Sequence, residues 1–430
     1  MPDRKIPPQN YIITHIPFIP PVKSSLSNGF PVFLLPGGTE DVVKIEWIFH
    51  AGSYYQKKPL ISFSTLNLLK AGTAAKTSAQ INEILDFHGA YLSLEAQKDL
   101  ASVVVFVMNK NLDPVLELVQ EIIRKPVFPQ EELQILLNNQ RQSFVVNNQK
   151  VQHLGRSYFM EAIFGGAHPY GYRLQEEDFG KITREDLVAF HQERIHGADG
   201  MCIVSGKVPP EMLEKLNRYF GDDQWVETAG NHSVKHAAGV PLQKKELLIT
   251  REHAVQSAIR IGKRSVTRQD PDYHQLMIAN ALLGGFFGSR LMRNIRQEKG
   301  FTYGINSSIV SLVRDGYFFI STQVGVDVCK AAVDEIYLEL RKLRTQPATD
   351  EELKVLKNYL AGNFLRSFDG PFAQGEKLKE LVIFGLEAGH FDDFLKVLKD
   401  ITPEQIMQTA EKHLHEDSMT EIVVGKMEQD

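Results

Sequence analysis

The sequence predicts alternating strands and helices in two similar halves, and three observations carry that prediction. Short motifs recur in order: Glu131-Glu132-Leu133 returns as Glu351-Glu352-Leu353, Ile182-Thr183 as Ile401-Thr402, and Ile203-Val204-Ser205-Gly206-Lys207 as Ile422-Val423-Val424-Gly425-Lys426, at offsets of 220, 219 and 219. Matches in one order at near-constant spacing are the mark of an internal duplication. Each half also opens on an apolar, strand-like run followed by a helical pattern, residues 43–49 then 60–69 and residues 247–250 then 273–283. The length of 430 residues exceeds one ordinary core, since a domain typically takes about 100–200 residues.

Each half closes on a helix and then a strand. Thr402-Pro403-Glu404-Gln405 reads as an N-cap, a first-turn proline and a capping-box partner, because hydroxyl and amide can satisfy the free N–H groups of a first turn. Thr183-Arg184-Glu185-Asp186 is a weaker form of the same start. In both copies the helix leads into a β-branched run, Ile203-Val204 or Ile422-Val423-Val424. His88, within Phe87-His88-Gly89-Ala90, is placed at a helix C-terminus beside its glycine, where an imidazole meets the negative end of the dipole. Residues 228–239 are small, polar and flanked by glycine, which reads as a flexible linker. The expected division is therefore residues 1–228, a linker at 229–240, and residues 241–430.

Composition narrows the function classes. Hydrophobic residues make up 43% and charged residues 23%, the balance of a globular chain rather than a disordered or membrane-spanning one. A net charge of -5 argues against nucleic-acid binding through a broad basic surface, which needs excess lysine and arginine to neutralise phosphates. Cys202 and Cys329 are too few for a disulfide framework and lack the paired spacing of a zinc ribbon, which favours a reducing compartment. The first ten residues carry no apolar run before their prolines, so neither a secretory signal nor a membrane anchor is read there, and the expected location is the cytoplasm.

A family resemblance emerges from the order of motifs. In the first half these are Ala51-Gly52-Ser53, Lys70-Ala71-Gly72-Thr73, Thr77-Ser78-Ala79-Gln80 and His168-Pro169-Tyr170-Gly171. In the second they are Leu283-Gly284-Gly285, Ser289-Arg290-Leu291 and the run Arg296-Gln297-Glu298-Lys299-Gly300-Phe301-Thr302-Tyr303-Gly304. Together they resemble one subunit of the pitrilysin/insulinase family of zinc metallopeptidases, across nearly the whole chain. That resemblance implies an α+β fold of two homologous αβ domains, each a mixed or antiparallel sheet flanked by helices, facing each other as a clamshell across a chamber.

Active members of that family bind zinc on an inverted His-x-x-Glu-His helix, with a third, carboxylate ligand some way downstream. Aligned on the Lys70-Ala71-Gly72-Thr73 turn, the three helix positions are Phe63, Leu66 and Asn67. Phenylalanine and leucine have no lone pair to donate, and an asparagine amide is neither a normal zinc ligand nor a general base near neutral pH. Residues 133–160 contain no Asp or Glu, so the downstream carboxylate is missing as well. The expectation is a chain that holds no metal and is not an enzyme by itself.

Arg296 and Tyr303 match the pair with which the family holds the substrate backbone opposite the zinc. Guanidinium and phenol both donate to a peptide carbonyl and can steady charge developing on its oxygen. The bland reading gives Arg296 a surface ion pair with Glu298 or a neighbour and Tyr303 a half-buried strand position. Gly284, Gly285, Phe286 and Phe287 precede the pair and lack the pattern of a phosphate-cradling loop, so they are read as a loop beside the substrate chamber. Other histidines carry less. His232 and His236 are spaced i, i+4 but sit in the glycine-flanked linker, and His191, His196, His413 and His415 are assigned solvated or capping roles.

The functional expectation is a non-catalytic subunit of a heterodimeric zinc peptidase, with zinc carried only by the partner of the same family and peptides as substrates. The alternative is a structural or binding scaffold of the same fold, for instance a homodimer, with no part in proteolysis. Neither reading involves nucleic acid or a membrane.

Overall fold

A computed structural model describes residues 15–225, 241 and 245–427, so the segment read as a linker, with His232 and His236, lies outside the described residues. The first half forms a sheet from β1 (Val22–Ser25), β2 (Pro31–Pro36), β3 (Val42–Phe49), β4 (Tyr91–Ala96), β5 (Ala101–Met108) and β6 (Gly200–Gly206), in the order β1-β2-β6-β3-β5-β4. The second half forms another from β7 (Glu246–Thr250), β8 (Gln256–Ser265), β9 (Ile305–Ser311), β10 (Gly316–Gly325) and β11 (Thr420–Gly425), in the order β7-β11-β8-β10-β9. With β1 set aside, the two sheets have one topology. β2 runs parallel to β6 as β7 does to β11, and every other neighbouring pair is antiparallel. The duplication read from three short motifs is thus a duplication of architecture, and the last motif occupies β6 in one copy and β11 in the other.

Helices of the first half are α1 (Ile61–Asn67), α2 (Ser78–Phe87), α3 (Leu112–Arg124), α4 (Gln130–Asn147), α5 (Val151–Phe164), α6 (Arg184–Arg194) and α7 (Met212–Phe220). Those of the second are α8 (Tyr273–Asn280), α9 (Cys329–Thr345), α10 (Asp350–Arg366), α11 (Gly370–Phe384), α12 (Gly389–Asp400) and α13 (Pro403–His413). The start signals hold: Thr183 and Thr402 each accept from the backbone N–H three residues on, and each forms a reciprocal capping box, with Asp186 and with Gln405. His88 is the C-cap of α2, followed by Gly89 at φ 58°. No helix among the described residues is long and apolar enough to cross a membrane.

Apolar strands buried on both faces need cover on both sides, and here each half covers the other. In β3, Val43, Ile45, Trp47 and Phe49 join the core of the first half, while Ile48 joins a second cluster that contains Leu378 of α11. In β8, Ile259 and Ile261 face the core of the second half. In β11, Ile422 and Val424 pack with Leu154, Phe159 and Ile163 of α5. The result is a reciprocal exchange, in which α5 lies over β8 and β11 while α11 lies over β6 and β2.

The exchanged helices touch their sheets at equivalent glycines, Gly155 and Gly375, separated by the repeat offset. A Cβ on Gly375 would sit 2.9 Å from Ser205 Oγ and 3.1 Å from Ser205 Cβ, whereas one on Gly155 would meet Ala258 Cβ at an ordinary 3.6 Å. Alanine in a helix interior is favoured over glycine by about 1 kcal/mol, and an overpacked core costs about 1–3 kcal/mol. Thermal unfolding of Gly155→Ala should therefore match or exceed the parent protein, while Gly375→Val should unfold at a clearly lower temperature. Equal midpoints for the two variants would contradict this helix-on-sheet geometry.

Candidate functional site

On α1, Phe63 and Asn67 are half-buried, one turn apart, and Leu66 is fully buried within the core of the first half. Asn67 Nδ2 donates to the Phe63 carbonyl at 2.8 Å, so the one polar side chain of the three is engaged along its own helix. These residues do not fit zinc: two offer no lone pair, and the amide points back at the backbone. The stretch without carboxylates, residues 133–160, occupies most of α4 and α5. Among the described residues no group of three or more His, Cys, Asp or Glu side chains is placed to hold a metal ion.

The second-half motifs surround two π-helical segments, Ala281–Gly285 and Met292–Glu298, a distortion frequent at functional sites. Gly284 is buried where its segment crosses β9, and a Cβ there would lie 2.7 Å from the Ser307 backbone nitrogen; Gly285 is exposed. Phe286 turns away and stacks on Tyr359 of α10, with ring centroids 4.7 Å apart. Phe287 is exposed and lies beneath the Arg296 guanidinium, 4.8 Å from ring centre to carbon. No ion pair joins Arg296 to Glu298 among the described residues. Tyr303 is 94% exposed, two residues before the edge strand β9. Its turn is pinned by its neighbour, since the Thr302 hydroxyl donates to the Gln323 carbonyl at 2.8 Å and accepts from the Gly304 N–H at 3.1 Å. Among the described residues Arg296 forms no ion pair and Tyr303 is not half-buried in a strand, so neither bland role is filled, and no hydrogen bond or ring contact joins the two. Arg290 anchors the segment by a two-pronged bond to Glu352 of α10, at 3.0 and 3.1 Å.

The His168-Pro169-Tyr170-Gly171 landmark proves to be architecture that joins the halves. Tyr170, fully buried, donates its hydroxyl to Asp99, whose other carboxylate oxygen accepts from the Val313 N–H of the second half at 3.1 Å. Arg314 lies over the Tyr54 ring at 4.7 Å. Burial and the hydrogen bond to Asp99 push the Tyr170 phenol well above its usual range. Asp99 carries no motif signal, and only the fold reveals its bridging role.

Two histidine assignments hold, one changes and His413 finds an acid. His196 and His415 cap short turns, accepting from the Ala198 and Asp417 N–H groups at 3.3 Å each. His191 is not solvated: it contacts the Ile123 carbonyl at 2.7 Å, and burial holds it below the usual histidine range. Its helix packs that face inward, which spacing alone did not reveal. His413 pairs with Asp272 at 2.7 Å.

The geometry agrees with comparison to known proteins. Residues 181–360 match the family model described as Peptidase M16 inactive domain. An uncharacterized zinc protease of Rickettsia felis is 22% identical over 400 residues, which span 90% of this chain and 94% of that one. YmfF of Bacillus subtilis, a probable inactive metalloprotease, is 27% identical over 248 residues, 57% of each chain. The crystal structure of a peptidase M16 inactive domain from Pseudomonas fluorescens superposes with a TM-score of 0.85 at 23% identity, covering 95% of this chain and 99% of that one. The two-domain α+β fold and the family resemblance read from the motifs are both borne out.

Proposed function

We propose that this chain, an inactive M16-type zinc protease homologue, serves as the non-catalytic subunit of a heterodimeric zinc peptidase and presents Arg296 and Tyr303 to the substrate backbone opposite a zinc held by its partner. One observation carries this reading: a tyrosine 94% exposed two residues before an edge strand, seven residues after an arginine that rests on an aromatic ring instead of an acid. Exposed aromatic surface without a structural task suits a binding role, and both groups donate the hydrogen bonds that a peptide carbonyl accepts. Peptides would dock by extending the sheet at β9, which brings their backbone past Tyr303. Zinc is assigned to the partner because Phe63, Leu66 and Asn67 cannot bind it. A cytoplasmic setting accords with two cysteines that are both free and buried.

The test is reconstitution with a zinc-bearing relative that retains the His-x-x-Glu-His motif. Arg296→Ala should lower kcat for peptide cleavage by roughly 10²–10³, the loss typical of removing one donor to a developing oxyanion. Affinity between the two subunits should be unchanged, and Tyr303→Phe isolates the hydroxyl's share. Full turnover in the Arg296→Ala complex would rule out the proposed role.

A further inference from the structure

The two exchanged helices sit in equivalent interfaces, yet their charges are opposite. Under α11, Glu46 of β3 and Glu376 of the helix are met by Lys44 and Lys379: Glu46 accepts from Lys44 at 2.8 Å and from Lys379 at 2.9 Å, and Glu376 pairs with Lys379 at 2.6 Å and also with Lys44. That interface is balanced. Glu46 stands opposite Ile203 in the first sheet as Arg260 stands opposite Ile422 in the second, and Ile203 and Ile422 are repeat partners. By the 220-residue offset, Glu376 corresponds to Arg156 of α5 and Lys379 to Phe159. Lys44, opposite Ser205, corresponds to Ala258, opposite Val424.

In the second interface both acids have therefore become arginines, and both counter-charges have become uncharged side chains. Arg260 lies over the Phe319 ring at 4.5 Å, and among the described residues neither it nor Arg156 forms an ion pair. Lys98 adds to the excess. Its acidic neighbour Asp99 already serves Tyr170 and Val313. Burial and the nearby Arg156 hold the Lys98 ammonium below its usual range against the pull of Asp99, and the same two causes push Arg260 down to about 10. Like charges held close together with no ion pair of their own are costly unless something neutralises them.

Arg156 stands where two open cavities meet. One, of about 760 Å³, lies between the halves and includes Lys98 and Tyr317 in its walls, with Asp99, Glu376 and Glu380 as its acids. The other, of about 1300 Å³, includes Arg260. Both dwarf a single small anion, and the first is already of the size that encloses a drug-sized ligand. We infer that Arg156, Arg260 and Lys98 form a carboxylate-binding site for acidic peptides, so that this chain selects anionic segments in addition to holding the backbone at Arg296 and Tyr303. Guanidinium groups suit the task, since each can grip a carboxylate through two parallel hydrogen bonds. Cationic side chains outnumber acidic ones in the walls of both cavities, an excess that draws anions even on a chain of net charge -5. The inference rests on the reading of the chain as a peptide-binding subunit.

The experiment uses the full chain and two fluorophore-labelled, C-terminally amidated peptides of equal length, one rich in glutamate and the other carrying glutamine in its place, compared by anisotropy. The glutamate peptide should bind about tenfold tighter or better, the gain expected from one charged hydrogen-bonding contact. Arg156→Gln should remove most of that preference while leaving the glutamine peptide unaffected. Arg156 is exposed and makes no ion pair, so this variant should fold, and Lys98→Gln provides a second. Arg296→Ala should keep the acidic preference. Equal binding of the two peptides to the parent chain overturns the inference and spares the peptide-binding role, whereas binding of neither overturns both. An undiminished preference in both the Arg156→Gln and Lys98→Gln chains also overturns it. So does displacement of the glutamate peptide by an equal concentration of inorganic phosphate, which would mark a site for any small anion.

Discussion

In the Glu46→Ala protein the thermal midpoint should drop by on the order of 5 °C, from a stability loss of roughly 3–5 kcal/mol. Glu46 is 1% exposed and accepts from two lysines, one on its own strand and one on the exchanged helix α11. Its removal leaves Lys44 and Lys379 to share Glu376 alone, two cations held against one acid beneath a helix. Replacing Lys44 and Glu46 together by leucine should cost less than Glu46→Ala by itself, because apolar pairs often substitute for buried ion pairs without loss. A midpoint within one degree of the parent would show the network to be idle. Acid should act on the same place. Burial would raise the Glu376 carboxyl, but hydrogen bonds and charge from Lys379 and Lys44 outweigh it and hold it below the usual carboxylate range. Its stabilising contribution is complete above the ordinary value of 4.5 and is lost as pH falls through the lower folded value. In Glu376→Gln that portion of the acid sensitivity should vanish.

A larger effect is expected from dividing the chain within residues 229–240. Each fragment would lack the helix that roofs its sheet, and would bare the row that helix covers: Leu35, Ile48 and Ile203 in one, Ile422, Val424 and Tyr317 in the other. Contiguous apolar surface of this kind drives association or precipitation. Neither fragment alone should unfold cooperatively, while the two expressed together should co-purify in equal amounts and regain most of the parent midpoint. Two monomeric fragments that each melt as sharply as the intact chain would refute the exchange as a source of stability.

Much of this was legible in the sequence where local chemistry is decisive. Threonine caps at Thr183 and Thr402 announced their helices because a hydroxyl satisfies the same free N–H groups in any context. The constant offset announced the duplication, and Phe63, Leu66 and Asn67 by their side chains alone announced that their helix offers no zinc donors. What escaped notice depends on residues far apart in the chain. Lys44 and Glu46 sit inside a run read as an apolar strand, and nothing local says that Lys379 waits above them. Gly155 and Gly375 share the repeat offset, yet a lone glycine in a helical pattern gives no hint of the sheet it approaches. Arg156 reads as an ordinary surface arginine until its counterpart, Glu376, shows what charge belongs at that position.

Reciprocal roofing also constrains how the molecule can move. For its two lobes to part, α5 and α11 would each have to be peeled from the opposite sheet, stranding Phe159 and Leu378 in water. The chain therefore behaves as a stiff wall rather than a pair of jaws. If the chain works beside a zinc-bearing partner as proposed, an opening that admits a long substrate would fall at the border between the two molecules, where the whole wall can swing without being taken apart.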